Sequence, residues 1–325
     1  MKKIILILML LIFITGCAEA EIKKTIPEQT PVNIDKDTIN KETEKEQVKT
    51  EAPKIAAWKA GGAAIPGKYA DADIVDIGNG KYRLYYSAEP EISDFKGQVY
   101  SAVSSDGINW NQESGERMEW ATFPSIIKLP DGRYRMYFQN QGAIKSAVSS
   151  DGLSWNQEPG TRMDKSNNAG LNLENAAAPT VIKSGDNYIM VYRGTINEKY
   201  PAQVPNSNIQ MFLWAVSKDG LNFDKKGIAL DSRNEMFYGL LDGPEFTEWD
   251  DGAIRLYFWS YRGVYHVNFA DGKFSTPEFD YTTDNNPRNL FPENPPGDPT
   301  LAKINGKWMM YYGQHTKGIY YAVLE

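Results

Sequence analysis

The sequence predicts an all-β fold, a five-bladed β-propeller with four-stranded blades. Three observations predict it. A unit of an apolar strand, a tight turn and a strand rich in Tyr and Phe occurs five times. A third strand follows each unit, and in three copies it ends in the same Ser-x-Asp-Gly turn. The units recur about every 50 to 65 residues, and four-stranded units at such a period are typical of propeller blades.

The start of the chain has the pattern of a secretory signal. Two lysines precede an apolar run from Ile4 to Ile14, which is shorter than the about 20 residues of a transmembrane helix. The segment Ile14–Cys17 resembles the lipobox of bacterial lipoproteins, in which the cysteine becomes the lipidated first residue of the mature protein. The resemblance implies a signal peptide over residues 1–16, lipidation at Cys17 and a lipid-anchored, extracytoplasmic place in the cell envelope. An ordinary signal peptide with a chance cysteine is the alternative.

Residues 17–54 have the composition of a disordered tether. The stretch contains no aromatic residue and is rich in Glu, Lys, Thr and Pro. Such a segment buries too little apolar surface to offset the entropy of ordering it. We therefore expect a solvated link between the anchor and a folded domain over residues 55–325.

The five repeated units define the inner half of each blade. Tight-turn residues such as Asn-Gly and Asp-Gly separate the two strands of most units, as in β-hairpins. The inner strands start near these residues: Ala72, Pro124, Pro179, Pro244 and Pro299. The aromatic strands start at these: Tyr82, Tyr134, Tyr188, Ile254 and Trp308.

The Ser-x-Asp-Gly turns are assigned to architecture rather than chemistry. Asp106, Asp151 and Asp219 occupy equivalent positions in three blades, each followed by Gly and, three residues later, one more aromatic ring. Asp-Gly supplies a tight turn, and the ring is expected to pack between blades. An active site is needed once, so repetition around the ring argues against catalysis by these residues.

The two ends of the domain are expected to close the ring. The fifth unit stops at Glu325 without an outer strand, whereas a strand-like segment, residues 56–65, precedes the first unit. We predict that this segment is the outer strand of the last blade, which leaves no open sheet edge between the first and last blades.

Composition excludes several functional classes. The net charge is −7, and no basic cluster follows the two N-terminal lysines, so nucleic-acid binding is not expected. One Cys and two His residues exclude a disulfide scaffold, a zinc site of paired thiolates and a three-histidine metal site. We expect a monomer that needs no cofactor and no metal, with a calcium ion in the channel left open.

Acidic residues at the inner strand starts are the candidates for chemistry. The strand starts converge on the propeller axis, and five carboxylates lie within two residues of the same landmark: Asp71, Asp73, Asp242, Glu245 and Asp298. Carboxylates gathered around one axis raise each other's pKa, which is how a general acid and a base are set apart.

The five-bladed pattern and these strand starts resemble glycoside hydrolases of family 43 and the related families 32 and 68, over about residues 56–325. The resemblance implies a base at Asp71, although Ala72 replaces the family's proline. It implies a general acid at Asp242, in an Asp-Gly-Pro rather than Glu-Gly-Pro setting, or at Glu245. The family's supporting aspartate corresponds to Phe123, so that role falls to Asp298, or to Glu119 and Glu174.

Sugar-binding side chains are expected beside these acids. Arg193, Arg262 and His315 follow second strands at a recurring position, where they can hydrogen-bond sugar hydroxyls. Phe123 and Tyr261 can stack on sugar faces, as can Trp120 and Trp259. Asp73 completes the set of candidates that contact substrate; Gln139 and Gln314 share the position of the arginines.

Three functions remain open on the sequence. The first is a surface-anchored glycoside hydrolase acting on furanose- or pentose-containing glycans. The second is a non-catalytic glycan-binding lipoprotein on the same scaffold, with oligo- or polysaccharide as its partner. The third is a structural propeller that binds protein. An enzyme requires two carboxylates in one funnel beside an exposed aromatic residue, whereas a structural propeller should show a broad apolar face.

Overall fold

The computed structural model describes residues 57–166 and 169–325. The predicted signal peptide, Cys17 and the tether lie outside these residues. In the ranges that are described, no apolar helix reaches the length that crossing a membrane requires.

Every regular element of the described residues is a β-strand. The first strand, β1, covers Trp58–Pro66. The first blade follows it, with these strands: β2 (Tyr69–Gly78), β3 (Lys81–Ala88), β4 (Gln98–Ser104), β5 (Asn111–Gln112) and β6 (Met118–Glu119). The second blade contains four: β7 (Thr122–Lys128), β8 (Tyr134–Asn140), β9 (Ala143–Ser149) and β10 (Asn156–Gln157).

The remaining three blades repeat this order. The third contains β11 (Leu173–Ser184), β12 (Asn187–Lys199), β13 (Asn208–Ser217) and β14 (Asp224–Leu230). The fourth contains β15 (Asp242–Glu248), β16 (Ile254–Ser260), β17 (Gly263–Ala270), β18 (Lys273–Phe274) and β19 (Glu278–Tyr281). The fifth contains β20 (Gly297–Ile304), β21 (Lys307–Gln314) and β22 (Gly318–Leu324).

Each blade is an antiparallel sheet whose strands run outward from the axis in chain order, except that β1 forms the outer strand of the fifth blade. The inner strands contact their neighbours around the ring; they are β2, β7, β11, β15 and β20. This confirms the predicted five-bladed propeller. The first and fourth sheets differ in having a fifth short strand, because β6 and β19 return to pair with the third strand of their own blade.

The N-terminal strand closes the ring as predicted. β1 pairs antiparallel with β22, with Trp58 opposite Leu324 and Pro66 opposite Gly318. The strand covers Trp58–Pro66, so it begins and ends slightly later than the expected residues 56–65. The last blade is therefore built from both ends of the domain, and its outer edge is covered.

The Ser-x-Asp-Gly turns connect neighbouring blades. The Asp106 carboxylate accepts the backbone N–H groups of residues 108 and 109 at 2.8 Å, which fixes the turn. Tyr311 of the fifth blade donates its hydroxyl to the carbonyl of Gly107 at 2.7 Å, and Trp110 packs edge-on against that tyrosine ring. The same bond joins Tyr85 to Gly152 and Tyr137 to Gly220. The assignment of these turns to architecture is confirmed.

A repeated irregularity starts every inner strand. One residue per blade has a left-handed backbone, with φ between 43° and 56°, and a register shift follows it: Asp71, Phe123, Ala178, Gly243 and Asp298. Because Phe123 and Ala178 share this conformation, it belongs to the blade rather than to catalysis. It sets five side-chain positions around one mouth of the channel.

Candidate active site

The mouth at the inner strand starts opens into a funnel of about 570 Å³. Asp71 and Asp298 lie in its wall, because two of the five left-handed positions carry aspartate. Phe123, Trp259 and His315 line the same space. Carboxyl groups and aromatic rings in one concave site are the combination that a sugar ligand needs.

A third carboxylate lies against this wall from the fourth blade. Asp242 forms an ion pair with Arg193 of the third blade, and both side chains are almost entirely buried. Asp242 also accepts the N–H of Gly243 at 2.8 Å. The guanidinium of Arg193 lies 5.3 Å from the centroid of the Phe123 ring. The ion pair thus joins the third blade to the fourth at the wall of the funnel.

Burial and mutual repulsion raise the pKa values of the two funnel aspartates. The pKa of Asp71 rises to about 7, first because the group is buried and second because Asp242 lies near it; a hydrogen bond from the Ser87 hydroxyl opposes the rise. Burial, then Asp71 and Asp242, raise the pKa of Asp298 well above its usual range. The indole N–H of Trp259 donates to Asp298 at 3.0 Å. At neutral pH this cluster therefore retains protons.

Gly243 allows the two acidic strand starts to approach each other. A Cβ at this position would lie 2.3 Å from Oδ1 and 2.6 Å from Cα of Asp298. Its φ of 56° is also one that glycine adopts without strain. Any side chain here would displace Asp298 from the funnel.

Below the funnel the channel narrows to a passage of about 20 Å³, lined by the strand-start prolines and by Asp71, Glu245 and Asp298. This is room for about one water molecule. Beyond it a wider vestibule of about 730 Å³ opens at the other end of the axis, between the ends of the inner strands.

A belt of side chains joins the blades at the level of the passage. It consists of the residue after each strand-start proline or its equivalent: Asp73, Ser125, Thr180, Glu245 and Thr300. Four of the five each accept a backbone N–H from the adjacent blade. The pairs are Asp73 with residue 126, Ser125 with 181, Thr180 with 246 and Thr300 with 74. Thr180 and Thr300 donate their hydroxyls to the two carboxyl oxygens of Glu245 at 3.3 and 3.1 Å.

Asp73 and Glu245 meet across the axis within this belt. Their carboxyl groups are hydrogen-bonded to each other, and such a bond between two acids requires a shared proton. Burial raises the pKa of Asp73 to about 7, while burial and the nearby Asp73 raise that of Glu245 well above its usual range. These two acids hold the blades together at the axis.

Six sequence candidates lie away from the funnel, and of these Glu119 pairs with Lys96 at the surface and Glu174 is exposed. Asp73 and Glu245 line the vestibule instead, because they are two residues farther along their strands, about 6–7 Å toward the other end. Tyr261 is buried and bonds to the backbone of Asn206. Arg262 lies over the Phe279 ring and donates to the carbonyl of Pro287. Both side chains are therefore engaged in contacts with other residues of the third and fourth blades.

Several residues of the site were not expected from the sequence. Ser87 bonds to Asp71 and accepts the N–H of Phe123 at 3.0 Å, and Glu89 and Phe95 line the funnel. No motif indicates these three, since they come from a second strand and the loop after it. The belt did leave a signal, because a hydroxyl or carboxyl residue follows the landmark in all five repeats.

Two places in the described structure are candidates for a cation site. One nitrogen of His315 and one oxygen each of Glu89 and Glu91 lie within 4.8 Å of one another at the funnel wall, and this group could hold a divalent cation. At the axis, both Glu245 oxygens already accept hydroxyl donors and Asp73 shares a proton with it. That set does not fit the six to eight free oxygen ligands of calcium, and no step is assigned to that ion.

The geometry of the funnel supports acid–base chemistry on a small polar ligand. It combines a carboxyl group paired with Arg193, an aspartate with a pKa of about 7 and a third acid whose pKa is raised well above its usual range. Different environments thus separate the protonation states of chemically identical groups, as general acid–base catalysis requires.

Comparison with known proteins gives the fold a context. No protein-family model matches the sequence, and no curated protein matches it. Solved structures do match. A structure from the GH130 family of mannoside phosphorylases, described as containing glycoside hydrolases that target β-1,2 mannosidic linkages in Candida mannan, has a TM-score of 0.62 at 14% identity and covers 83% of this chain and 94% of its own.

Two further structures agree with it. A glycosyl hydrolase from Bacteroides ovatus has a TM-score of 0.58 at 15% identity, covering 82% of this chain and 85% of its own. A protein of unknown function from Dyadobacter fermentans has a TM-score of 0.53 at 14% identity, covering 82% and 98%. At these identities the similarity establishes the fold, and the chain has the five-bladed propeller architecture found in glycoside hydrolases.

Proposed function

We propose that the protein is a glycoside hydrolase that acts on furanose- or pentose-containing glycans. The observation that carries the proposal is the convergence of Asp71, Asp242 and Asp298 beside Arg193, at the wall of one funnel that also contains aromatic rings. Glycoside hydrolases use a pair of carboxyl groups, one protonated and one ionised, on either side of the bond that breaks. Glycan-processing neighbours with the same fold support this choice.

The electrostatics assign the roles within the cluster. Asp71, with a pKa of about 7, is the group that activates water, as the sequence resemblance implies. Asp298 keeps its proton and donates it to the leaving oxygen. Asp242, which the sequence favoured as donor together with Glu245, is the ion-pair partner of Arg193 and stabilises positive charge that develops on the sugar ring.

The acceptor is water rather than phosphate. The funnel wall includes Asp71, Glu89, Glu293 and Asp298, and among the described residues that line it none is Lys or Arg; Arg193 lies behind the wall, buried in its ion pair with Asp242. A phosphate anion is bound by cationic donors, above all by bidentate arginine. An acidic wall repels that anion and accepts a neutral sugar and a water molecule.

The non-catalytic alternative also has a specific observation in its favour. Phe123 occupies the strand start where the resembled families carry their supporting aspartate, and Arg193 lies over its ring. A glycan-binding protein could use the same funnel and aromatic rings without turnover. Substitution of the funnel acids would then reduce the specificity of glycan binding, because the protein has no hydrolysis rate to lose.

The proposal places the enzyme in the cell envelope as a monomer, held by a lipid on Cys17 and by the segment up to residue 54. The basis is the lipobox-like Ile14–Cys17 and the tether composition. Radiolabelled palmitate should enter the parent protein but not Cys17→Ser. Equal labelling of both proteins would contradict the anchor.

Hydrolysis by the full-length protein tests the activity. Arabinan, xylan, fructan, 4-nitrophenyl glycosides and β-1,2-mannobiose form the panel, since one structural neighbour belongs to a family with members that act on the last linkage. We expect turnover that rises with pH through about 7 and is lost in Asp71→Asn but kept in Asp76→Asn, an exposed acid of the same strand. Glycan binding without any turnover would support the alternative instead.

A further inference from the structure

A side groove opens from the funnel between the first and second blades. It has a volume of about 160 Å³, and Phe95, Thr122 and Gln139 line both spaces. Trp120 and Asn140 also line the groove. The shared lining makes the groove a lateral extension of the funnel.

Trp120 is presented to solvent in a strained conformation. Its side chain is 54% exposed although it is the largest apolar residue type, and its φ is 56°. A bulky residue rarely adopts this left-handed backbone, and such strain concentrates at ligand sites. The side-chain amide of Asn140 donates to the Trp120 carbonyl at 2.7 Å and holds the conformation. Phe95, also exposed at 38%, provides a second ring in the groove.

The polar groups of the groove carry no net charge, and some of them can still form hydrogen bonds to a ligand. The Oε1 atom of Gln139 is buried and has no hydrogen-bond partner among the described residues. The amide of Gln141 adds a donor and an acceptor, and Lys96 is neutralised by Glu119 at 3.1 Å. Exposed rings beside neutral amides match a neutral sugar, which has an apolar ring face and hydroxyl groups.

The axis itself offers no path for a longer ligand. Below the funnel the passage holds about one water molecule, so a glycan whose end enters the funnel cannot continue downward. Its second unit must leave sideways or upward. The groove is a lateral exit of this kind, lined by groups that recognise sugars.

We propose that this groove is a binding site for the second unit of an oligosaccharide whose terminal sugar occupies the funnel, with Trp120 as its stacking platform. The inference rests on the proposed function, in that the funnel must hold a sugar. It makes the substrate a neutral glycan that is attacked at its end rather than within the chain.

Kinetics of the full-length protein separate the groove from the funnel. Xylobiose, arabinobiose and β-1,2-mannobiose are compared with the matching monosaccharide glycosyl fluorides, whose leaving group is too small to fill the groove. The proteins are the parent, Trp120→Ala, Trp120→Phe and Ile228→Ala, an exposed apolar residue of β14. Trp120→Ala should lower kcat/KM for the disaccharide by about tenfold and leave that for the glycosyl fluoride unchanged, since only the disaccharide reaches the groove. Trp120→Phe should restore most of the loss, and Ile228→Ala should change neither.

Calorimetric titration with the same disaccharides keeps the inference testable if turnover is absent. Weaker binding by Trp120→Ala than by the parent then supports the groove while the hydrolase proposal fails. Equal binding by the two proteins, or an equal loss of kcat/KM on both substrate types, overturns the groove as a sugar site. No binding of any disaccharide by the parent overturns it as well.

Discussion

Arg193 of the third blade forms a buried ion pair with Asp242 of the fourth blade, beside the ring of Phe123 from the second. Three blades thus meet at one guanidinium, next to the two funnel aspartates. The pair therefore connects the stability of the ring with the chemistry of the site.

Removing the arginine should damage both properties. Arg193→Leu leaves the Asp242 carboxylate buried without its partner, and breaking such a pair from one side costs about 3–5 kcal/mol. Urea unfolding should show this loss, and hydrolysis should fall with it. Arg193→Lys keeps the charge and should recover most of the stability. If Arg193→Leu unfolds at the same urea concentration as the parent, the ion pair does not hold Asp242 as described.

The Asp73–Glu245 pair should make the protein less stable as pH rises. Their folded-state pKa values lie above those of the unfolded chain, so the folded state keeps protons that the unfolded state releases. The contribution of these protons to the unfolding free energy is complete below about pH 4 and is lost as the pH rises toward the folded-state pKa, about 7 for Asp73. The slope is about 1.4 kcal/mol per pH unit for each retained proton. Unfolding free energies measured at pH 4.5, 6 and 7.5 should decrease in that order.

A matched pair of glutamines tests the origin of this slope. Glu245→Gln provides the hydrogen for the bond to Asp73 without a titrating proton, so its slope should be shallower and its stability at pH 7.5 higher than those of the parent. Glu248→Gln, an exposed position of the same strand, should follow the parent curve. Identical slopes in all three proteins would mean that the axial pair does not share a proton.

The role of Asp298 should appear in the dependence on the leaving group. Asp298→Asn removes the proton donor, which matters most when the departing oxygen is strongly basic. We expect the variant to lose at least about a hundredfold in kcat on a disaccharide but much less on a 4-nitrophenyl glycoside, whose leaving group needs little protonation. A uniform loss on both substrates would assign the donor to another residue.

The sequence predicted the ring and the strand starts well because both depend on local, repeated chemistry. Asp-Gly turns such as that of Asp106 and the alignment around Pro244 recur at a fixed period, so one copy supports the interpretation of the others. The partners across blades could not be predicted in this way. Arg193 and Asp242 are 49 residues apart, and their contact depends on how two blades pack.

The sequence pattern also could not predict how far along the propeller axis each acid lies. Asp71 and Asp73 are both near the landmark, yet the first lies in the funnel wall and the second lines the vestibule on the other side of the passage. A strand advances about 3.3 Å per residue, so two positions separate two sites. The sequence pattern also predicts Tyr261 and Arg262 as sugar-binding residues, whereas the structure pairs them with other residues such as Asn206. These partners lie in loops that do not repeat, so the pattern could not indicate them.

Closure of the ring by β1 can be tested with two adjacent glycines. A Cβ at Gly61 would lie 2.2 Å from the ring of Tyr321 on β22, whereas a Cβ at Gly62 would meet nothing within 4 Å. Neither glycine has a left-handed φ, so an alanine differs at the two sites only in the space that it finds. Gly61→Ala should lower the unfolding free energy by about 1–3 kcal/mol, as overpacking does, while Gly62→Ala should match the parent. Deletion of residues 57–66 should lower it further, because the edge of β22 is then exposed. If all three proteins unfold together with the parent in urea, the N-terminal strand contributes nothing to ring stability and the closure is not structural.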